Sequence, residues 1–590
     1  MRGFSTHDGD IGTTDDLYLP MNQPALYTLP EEVLQRICRV LATRVYPFYP
    51  TAPHGLVTLA LTCRCLSEIA LDVLWSTLRS LSPLLCTLPE DLFAFLPVPA
   101  NGDGGYQYER YKAAFLRDPV PQDFVRLATY SIRVTAIDAN ARNPAFWDIG
   151  RKFPTEVWDV LLRHAPKPLL PNLRFLYHTE RPVQDEELVP GRGFFHPADL
   201  LFGPNLRVVQ LAGLWIHPHR PTKAIQALSR ATQLVESLRL EARIGRPSNY
   251  ASLACPELRG FDRLVYFGGY SINVGPEALT ALGSLPSLQE MLLHVEPADY
   301  TWDALPHGRH TSFFPALTKL TLYNIAFEWC AAFLNTLSSA ALQQLHIRVH
   351  DPYCVTPDGA VFEALCAAIG GLPSGESLHD LDIRSPRTAE VVLRPAYPAR
   401  HIAPLAGLKS ALRRLYVRGP CQIDVDDATL EAMARAWPDI QEIMLPWVDH
   451  PDHIDDTIHD EELENSEPPP YMPRATLAGL DALVRGCPQL THLALAFDMR
   501  FVPELGEREN PVRAPEQVSA LKQLSAEGSV LEDPIGVAAF LALMCPRLKK
   551  AGGDDWQDVM WYYLAFCRIR EEEKKWAAAR GRGLQGAASA

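Results

Sequence analysis

The sequence predicts an α/β protein in which a short helical module precedes an irregular solenoid of strand–helix repeats. One observation is that the spacing apolar-x-x-apolar-x-apolar recurs along most of the chain, as at Leu206-Val209-Leu211. Another is that three short helical patterns lie between Thr28 and Trp75, ahead of the repeats. A chain of 590 residues also exceeds one ordinary hydrophobic core, so a repeat array or several domains is expected.

The first predicted helix begins near Thr28. Thr28 and Glu31 have the spacing of a capping box, and Pro30 lies in the first turn, where its missing N–H costs little. Five apolar residues then recur at helical spacing: Val33, Leu34, Ile37, Val40 and Leu41. Prolines 47, 50 and 53 end this helix. An apolar run at 56–61 and a helical pattern at 66–74 follow. On this pattern alone, the segment is a small helical cap on the neighbouring domain.

The order of these residues also resembles the F-box, the segment that joins a substrate receptor to a Skp–cullin–F-box ubiquitin ligase. Leu29-Pro30 precedes an acidic residue and the apolar stripe, Cys63-Arg64 follows the loop, and Leu74-Trp75 closes the motif. The resemblance implies that seven residues lie at or near the surface for a Skp-type adaptor: Leu29, Pro30, Val33, Leu34, Ile37, Leu59 and Trp75. Through that adaptor it implies a cullin partner.

Two features of the motif favour an alternative. The stretch from Ala42 to Gly55 is longer than the usual F-box link between the first two helices, and the aromatic residue that commonly follows the Cys-Arg pair is absent. A scaffold whose diverged F-box no longer recruits a ligase would show both features. The resemblance implies a non-enzymatic substrate receptor, and the scaffold is its alternative.

The repeats are the second predicted architecture. The strand pattern recurs at first positions 206, 235, 261, 288, 317, 342, 378, 412, 440 and 490, with weaker matches at 134, 173 and 548. Helical patterns lie between strands at 276–285, 428–437, 477–484 and 537–544. A proline follows each helix, as at Leu285-Pro286, and drives the preceding residue out of helical geometry before the next strand.

This alternation predicts a leucine-rich repeat solenoid, in which stacked repeats bury one continuous core and the x positions face a concave surface. The array also resembles the irregular leucine-rich repeats that accompany F-boxes in fungal proteins, where Cys-Pro-x-Leu returns such as Cys255-Pro256-Glu257-Leu258 are common. The alternative is a set of ordinary α/β units in a closed domain.

The patterns also predict domain boundaries. Residues 1–25 are predicted to be a disordered tail, 26–80 the F-box-like module, and 81–170 a connector that buries the first edge of the solenoid. The connector fits neither pattern well, and 111–116 is predicted to be a short helix. The solenoid is predicted to span 171–550, a capping helix 551–577, and a disordered tail 578–590.

Composition excludes some classes of function. The net charge of −15 argues against a general binder of nucleic acid or of anionic membranes. No apolar run of about 18 residues exists to span a bilayer, and the acidic N-terminus does not have the apolar core of a signal peptide. The twelve cysteines contain no Cys-x-x-Cys pair and are interpreted as reduced, buried thiols, which places the protein in the cytosol or nucleus.

One insertion, 448–470, is rich in histidine and carboxylates and ends in Pro468-Pro469-Pro470. A metal site is conceivable there, but little apolar content exists to fix ligands in space, so a mobile acidic loop is favoured. The spacing Gly581-x-Gly583-x-x-Gly586 matches a dinucleotide fingerprint without its strand, and is interpreted as chance. We therefore expect no catalytic residue, no metal and no cofactor, with an enzyme site in the solenoid as a further alternative.

Four aromatic residues on or just after strands are weak candidates for substrate binding: Trp215, Tyr323, Tyr416 and Trp447. Aromatic side chains on a concave face often anchor protein partners. The alternative is that they pack the rim or the core.

Overall fold

The computed structural model describes residues 29–43, 54–62, 64–98, 110–138, 151–152, 155–179, 200–212, 220–242, 251–294, 313–323, 325–349, 359–384, 397–408, 412–418, 423–445, 472–503, 519–552 and 556–588. Two compact units divide the chain, an N-terminal unit of residues 1–157 and a repeat unit of residues 158–590. The predicted tail 1–25, the insertion 448–470, and Trp215 and Trp447 lie outside the described residues.

Three helices open the N-terminal unit: α1 (Glu31–Thr43), α2 (His54–Thr62) and α3 (Arg64–Ser76). The carbonyl of Pro30 accepts the first hydrogen bonds of α1, from the N–H groups of Val33 and Leu34. The three helices pack around Cys38, Leu56 and Ala70, which are all almost fully buried. Such a core is small, so the helices depend on further contacts for stability.

Those contacts come from the rest of the N-terminal unit. It contains β1 (Thr77–Leu78), α4 (Ser82–Leu85), β2 (Phe93–Val98), β3 (Arg110–Phe115), α5 (Val125–Ser131), β4 (Ala136–Asp138) and β5 (Arg151–Lys152). Strand β1 pairs with β4 in parallel, and β3 pairs with β2 antiparallel and β5 parallel. The short helix predicted at 111–116 was therefore wrong. Pairing with β2 makes this segment a strand, and the spacing of its apolar residues does not reveal that pairing.

The repeat unit is built on one parallel sheet. Its strands are β6 (Phe175–Thr179), β7 (Val208–Ala212), β8 (Ser237–Glu241), β9 (Ala251–Leu253), β10 (Tyr266–Val274), β11 (Glu290–His294), β12 (Lys319–Tyr323), β13 (Gln344–Arg348), β14 (Asp380–Arg384), β16 (Arg414–Arg418), β18 (Glu442–Met444), β19 (His492–Ala494), β20 (Gln523–Ser525) and β21 (Lys550–Gly552). They are hydrogen-bonded in chain order, except that β9 pairs only at the end of β10. A separate pair joins β15 (Tyr397–Pro398) and β17 (Ile423–Asp424).

Helices return the chain between strands. They are α6 (Thr155–His164), which begins at the unit boundary, α7 (Arg220–Ala231), α8 (Pro276–Gly283), α9 (Phe327–Leu334), α10 (Gly359–Gly370), α11 (Asp427–Ala436), α12 (Leu477–Gly486) and α13 (Pro534–Met544). The four helices predicted from periodicity are confirmed within a few residues of their bounds. Asp426, Thr476 and Asp533 each cap a helix by accepting a backbone N–H.

The apolar repeat positions form the core of this unit. Leu345, Leu381 and Leu415 are in register on three successive strands, and each is fully buried. The equivalent apolar positions of the other strands are buried as well, except for the partly exposed Ala551 of β21. A parallel sheet with strand–helix repeats and one continuous apolar layer confirms the predicted repeat solenoid. The pattern missed β20, because Ala526 occupies its last apolar position.

The chain ends in a long helix, α14 (Trp556–Ala588), whose first turns pack on α13 through the buried Trp556, Val559 and Tyr563. The Tyr563 hydroxyl donates to the carbonyl of Cys545 at 2.9 Å. The helix continues to Ala588, so the segment predicted to be disordered from residue 578 is helical through that residue. Among the described residues, no helix is long and apolar enough to cross a membrane.

Candidate functional site

Helices α1 and α2 carry apolar side chains that point away from their own core. Val33, Ile37 and Leu41 follow one another at four-residue intervals on α1, and each is more than a third exposed. Val57 and Leu61 have the same spacing on α2, and Leu61 is 82% exposed. These five residues are referred to below as the N-terminal apolar surface. Five exposed aliphatic side chains on two short helices are typical of a protein interaction site.

The residues predicted to contact an adaptor divide between this surface and the interior. Pro30, Val33 and Ile37 are exposed, and Leu29 is partly exposed. Leu34 is only 5% exposed, and Leu59 packs against the buried cluster of the module. These two residues therefore hold the helices together, and a charged substitution at Leu34 would unfold the module.

Trp75 lies at the end of α3 and is partly buried. Its ring stacks on Tyr130 of α5 with centroids 4.5 Å apart and an angle of 28° between planes. Close by in the chain, the N–H of Thr135 donates to the carbonyl of Ser76 at 2.9 Å. In this structure Trp75 therefore fixes the module to the rest of the N-terminal unit.

Arg133 adds a charged contact between the same parts. Its guanidinium forms ion pairs with Glu68 and Asp72, one turn apart on α3, and donates to the backbone carbonyl of Glu68 at 3.3 Å. The arginine side chain is only 14% exposed, so the carboxylates balance a largely buried charge. The module is thus held in one orientation within its unit.

The repeat unit has a second surface, formed by the strand residues that alternate with the core. Along β13, for example, Leu345 and Ile347 are buried while Gln344, His346 and Arg348 are partly exposed. Parallel register places such residues in rows that cross the strands. The face of the sheet that bears these partly exposed residues is referred to below as the open face.

The first row of the open face consists of residues in register near the start of each strand: Glu290, Lys319, Gln344, Asp380, Arg414, Glu442 and His492. Charges alternate along it, and ion pairs join neighbours on adjacent strands: Lys319 with Glu290, Arg414 with Asp380, and His492 with Glu442. Burial raises the pKa of Asp380, but His346 at 3.5 Å and Arg414 at 2.6 Å outweigh that effect, and the pKa lies below its usual range. The charges of this row are balanced by its own members, with His346 of the next row as an additional partner of Asp380.

Two of the four aromatic candidates can be located, and both lie on the open face. Tyr323 accepts a hydrogen bond from Nη1 of Arg348 at 2.8 Å, and its ring lies 6.4 Å from that of Tyr270. Tyr416 donates to the carboxylate of Glu442. Burial and this carboxylate raise the pKa of Tyr416 to about 12, so the phenol is neutral at physiological pH. Neither ring belongs to the core.

Sequence reasoning missed three arginines in the last row of the same face. Arg348, Arg384 and Arg418 end three neighbouring strands in register. The signal was present in the sequence, because each arginine directly follows the last apolar residue of its strand motif. Only pairing of the strands shows that the three lie side by side.

Chemically reactive groups are sparse among the described residues. No group of three or more histidine, cysteine, aspartate or glutamate side chains there has the geometry to hold a metal ion. Burial raises the pKa of Cys255, Cys366 and Cys487 to about 12 each, so these thiols are protonated and poorly nucleophilic.

No protein-family model and no curated protein sequence matches the chain. Among solved structures, it is similar to an internalin from Listeria monocytogenes, with 14% identity and a TM-score of 0.30, covering 62% of this chain and 79% of that one. It is also similar to a chain from the Toll–Spatzle complex of Drosophila, with 13% identity and a TM-score of 0.36, covering 73% and 46%. This protein thus spans less than half the length of that second chain.

Proposed function

We propose that this protein is a non-enzymatic receptor that joins two partners. In this proposal the N-terminal apolar surface binds a Skp-type adaptor and, through it, a cullin, while the open face of the repeat unit binds a protein substrate. Catalysis belongs to other subunits of the ligase. This chain contributes proximity, because a bound substrate lysine is held near the activated ubiquitin.

The observation that carries the proposal is the outward orientation of Val33, Ile37, Leu41, Val57 and Leu61. Covering apolar area stabilises a complex by about 25 cal/mol per Å² before the entropic costs of association are subtracted. Exposed aliphatic residues add nothing to the fold of their own module, whose core is Cys38, Leu56 and Ala70. Val33 and Ile37 of this surface belong to the F-box-like motif, which favours a Skp-type adaptor as the partner.

The stiff attachment of the module supports the same function. Arg133 and Trp75 fix α3 to the following strand and helix of the N-terminal unit. Proximity increases a rate only when the bound partner is held in a defined geometry, and these contacts would hold a bound adaptor in a defined position on the N-terminal unit. A freely jointed module would lose much of that advantage.

Co-expression with a Skp-type adaptor followed by size-exclusion chromatography tests the proposal. We expect a one-to-one complex with the wild-type chain and its loss in Ile37→Asp/Leu61→Asp, since two charges would then face an apolar partner surface. Val125→Asp is the matched control, because Val125 is 64% exposed in the same unit but lies outside the proposed surface. Leu34 is left unchanged because it is buried.

A scaffold with a diverged F-box is the second candidate, favoured by the long stretch between Ala42 and Gly55. The same experiment separates the two. A folded wild-type chain that elutes without adaptor would refute the ligase assignment and leave the scaffold. A complex that survives in Ile37→Asp/Leu61→Asp but is lost in Val125→Asp would place adaptor binding elsewhere on the unit.

A further inference from the structure

Three arginines lie side by side at one end of the open face. Arg348 is in register with Arg384, and Arg384 with Arg418, on the neighbouring parallel strands β13, β14 and β16. Tyr323 continues the same row on β12. Arg418 is exposed, the Arg384 side chain is 46% exposed, and Arg348 is partly exposed. Arg348, Arg384 and Arg418 are referred to below as the arginine row.

The arginine row is short of negative partners. Asp382 pairs with Arg384 at 2.8 Å. Arg348 donates to the hydroxyl of Tyr323, and its buried Nε atom has no hydrogen-bond acceptor among the described residues. Arg418 makes no ion pair with any of the described residues. In the part of the chain that the structure describes, three cations therefore face one carboxylate, whereas the first row of the open face alternates in sign.

Stability of the fold does not account for this arrangement. Like charges directly opposite one another on adjacent strands are destabilising. Burying a guanidinium nitrogen without an acceptor carries a further cost. The local excess of positive charge also contrasts with the net charge of −15 of the whole chain. A ligand with negative charges would offset the repulsion among the three guanidinium groups.

We propose that the arginine row binds an anionic segment of a partner polypeptide, with carboxylate or phosphate groups on the guanidinium forks. Neighbouring strands are about 4.8 Å apart, so Arg348 and Arg418 are separated by about 10 Å. A peptide in the polyproline II conformation advances about 3.1 Å per residue with three residues per turn, so its side chains at i and i+3 lie on one face and span this distance. The structure therefore favours negative residues at positions i and i+3 of a segment that crosses the strands.

Aromatic rings mark one end of the same path. Tyr323 lies beside Arg348, and Tyr270 lies beside Tyr323, with Arg239 stacked over the Tyr270 ring at 4.0 Å. These partly exposed rings offer apolar contact to residues that flank the negative pair. The inference rests on the proposed function, because it describes the substrate segment that the open face would recognise.

Fluorescence anisotropy with the full-length chain tests the inference. Three labelled peptides of equal length are compared: one with Glu at i and i+3, one with Gln at both positions, and one with phosphoserine at both. We expect the Glu peptide to bind and the Gln peptide to bind at least about tenfold more weakly, with affinity that falls as salt rises. Tighter binding of the phosphoserine peptide would assign phosphate as the ligand group, and equal or weaker binding would assign carboxylate.

Variants of the arginine row show where on the chain the anionic peptide binds. Arg384→Gln/Arg418→Gln should weaken the better anionic peptide at least about tenfold, since two charge-assisted contacts are lost. Arg435→Gln is the control, because Arg435 is an exposed arginine on helix α11 and not on the sheet. Equal binding of all three peptides, or an unchanged affinity in the double variant, would overturn the inference. The assay contains no adaptor, so Ile37→Asp/Leu61→Asp should bind peptide as the wild type does, which separates this test from that of adaptor binding.

Discussion

Two leucines on helix α2 provide a matched test of how the N-terminal module is oriented. Leu56 is 1% exposed within the core of the module, and Leu61 is 82% exposed. Leu56→Ala should cost about 2–5 kcal/mol, the usual range for removing a buried leucine side chain. Leu61→Ala should change stability by no more than about 0.5 kcal/mol, as exposed positions do. Both substitutions make the same chemical change on one helix, so helix propensity contributes equally.

Amide hydrogen exchange on the full-length chain, read by mass spectrometry of peptides, is the suitable assay. It resolves local opening, whereas one melting curve of a chain with two units does not define a single free energy. A loss of about 3 kcal/mol in Leu56→Ala would speed exchange in α2 and α3 by about 150-fold, up to complete loss of protection. Peptides from α12 in the repeat unit are the internal control. Equal acceleration in Leu61→Ala would refute the assigned orientation and with it the N-terminal apolar surface.

Two further predictions concern the interior of each unit. Arg117 donates two hydrogen bonds to Asp123 and holds the pKa of that carboxyl at about 2, below its value of about 3.9 in an unfolded chain. The ionised Asp123 therefore stabilises the folded state fully above about pH 4, and this contribution is lost as the pH falls towards 2. Asp123→Asn should abolish the change in the exchange protection of residues 110–131 between pH 5 and pH 3. If the variant keeps the pH dependence of the wild type, other groups cause that dependence. In the repeat unit, Nε1 of the buried Trp437 donates to the carbonyl of Leu408 at 3.1 Å. Trp437→Phe should therefore lower the free energy of local opening of α11, measured by amide exchange, by about 1–3 kcal/mol. Trp576→Phe is the control at an exposed site and should have almost no effect. Equal effects of the two substitutions would contradict the burial of Trp437.

The repeat architecture could be predicted because it depends on a periodic signal. Leu320, Leu345 and Leu381 occupy the same place in successive motifs, and one continuous core satisfies them all. The start of one helix followed from local chemistry, because the helix predicted to begin at Pro276 does begin there. The apolar spacing within residues 28–75 likewise predicted three short helices, and α1, α2 and α3 lie there.

Other features depended on contacts distant in sequence. Periodicity placed Leu34 and Ile37 on one stripe, but the packing of α2 and α3 decides that Leu34 faces inward while Ile37 remains exposed. Strand β3 was predicted as a helix because its partner β2 was not recognised. The arginine row is formed by residues more than thirty positions apart, so the register between strands had to be known before it could be seen.

Isothermal titration of the purified full-length chain with a purified Skp-type adaptor, at several temperatures, tests the central proposal most directly. The account predicts saturable one-to-one binding with a negative heat-capacity change, since apolar area is removed from water at the N-terminal apolar surface. It also predicts that Ile37→Asp/Leu61→Asp abolishes the signal while Val125→Asp preserves it. Absence of binding by the folded wild-type chain, or full binding by Ile37→Asp/Leu61→Asp, would contradict the account.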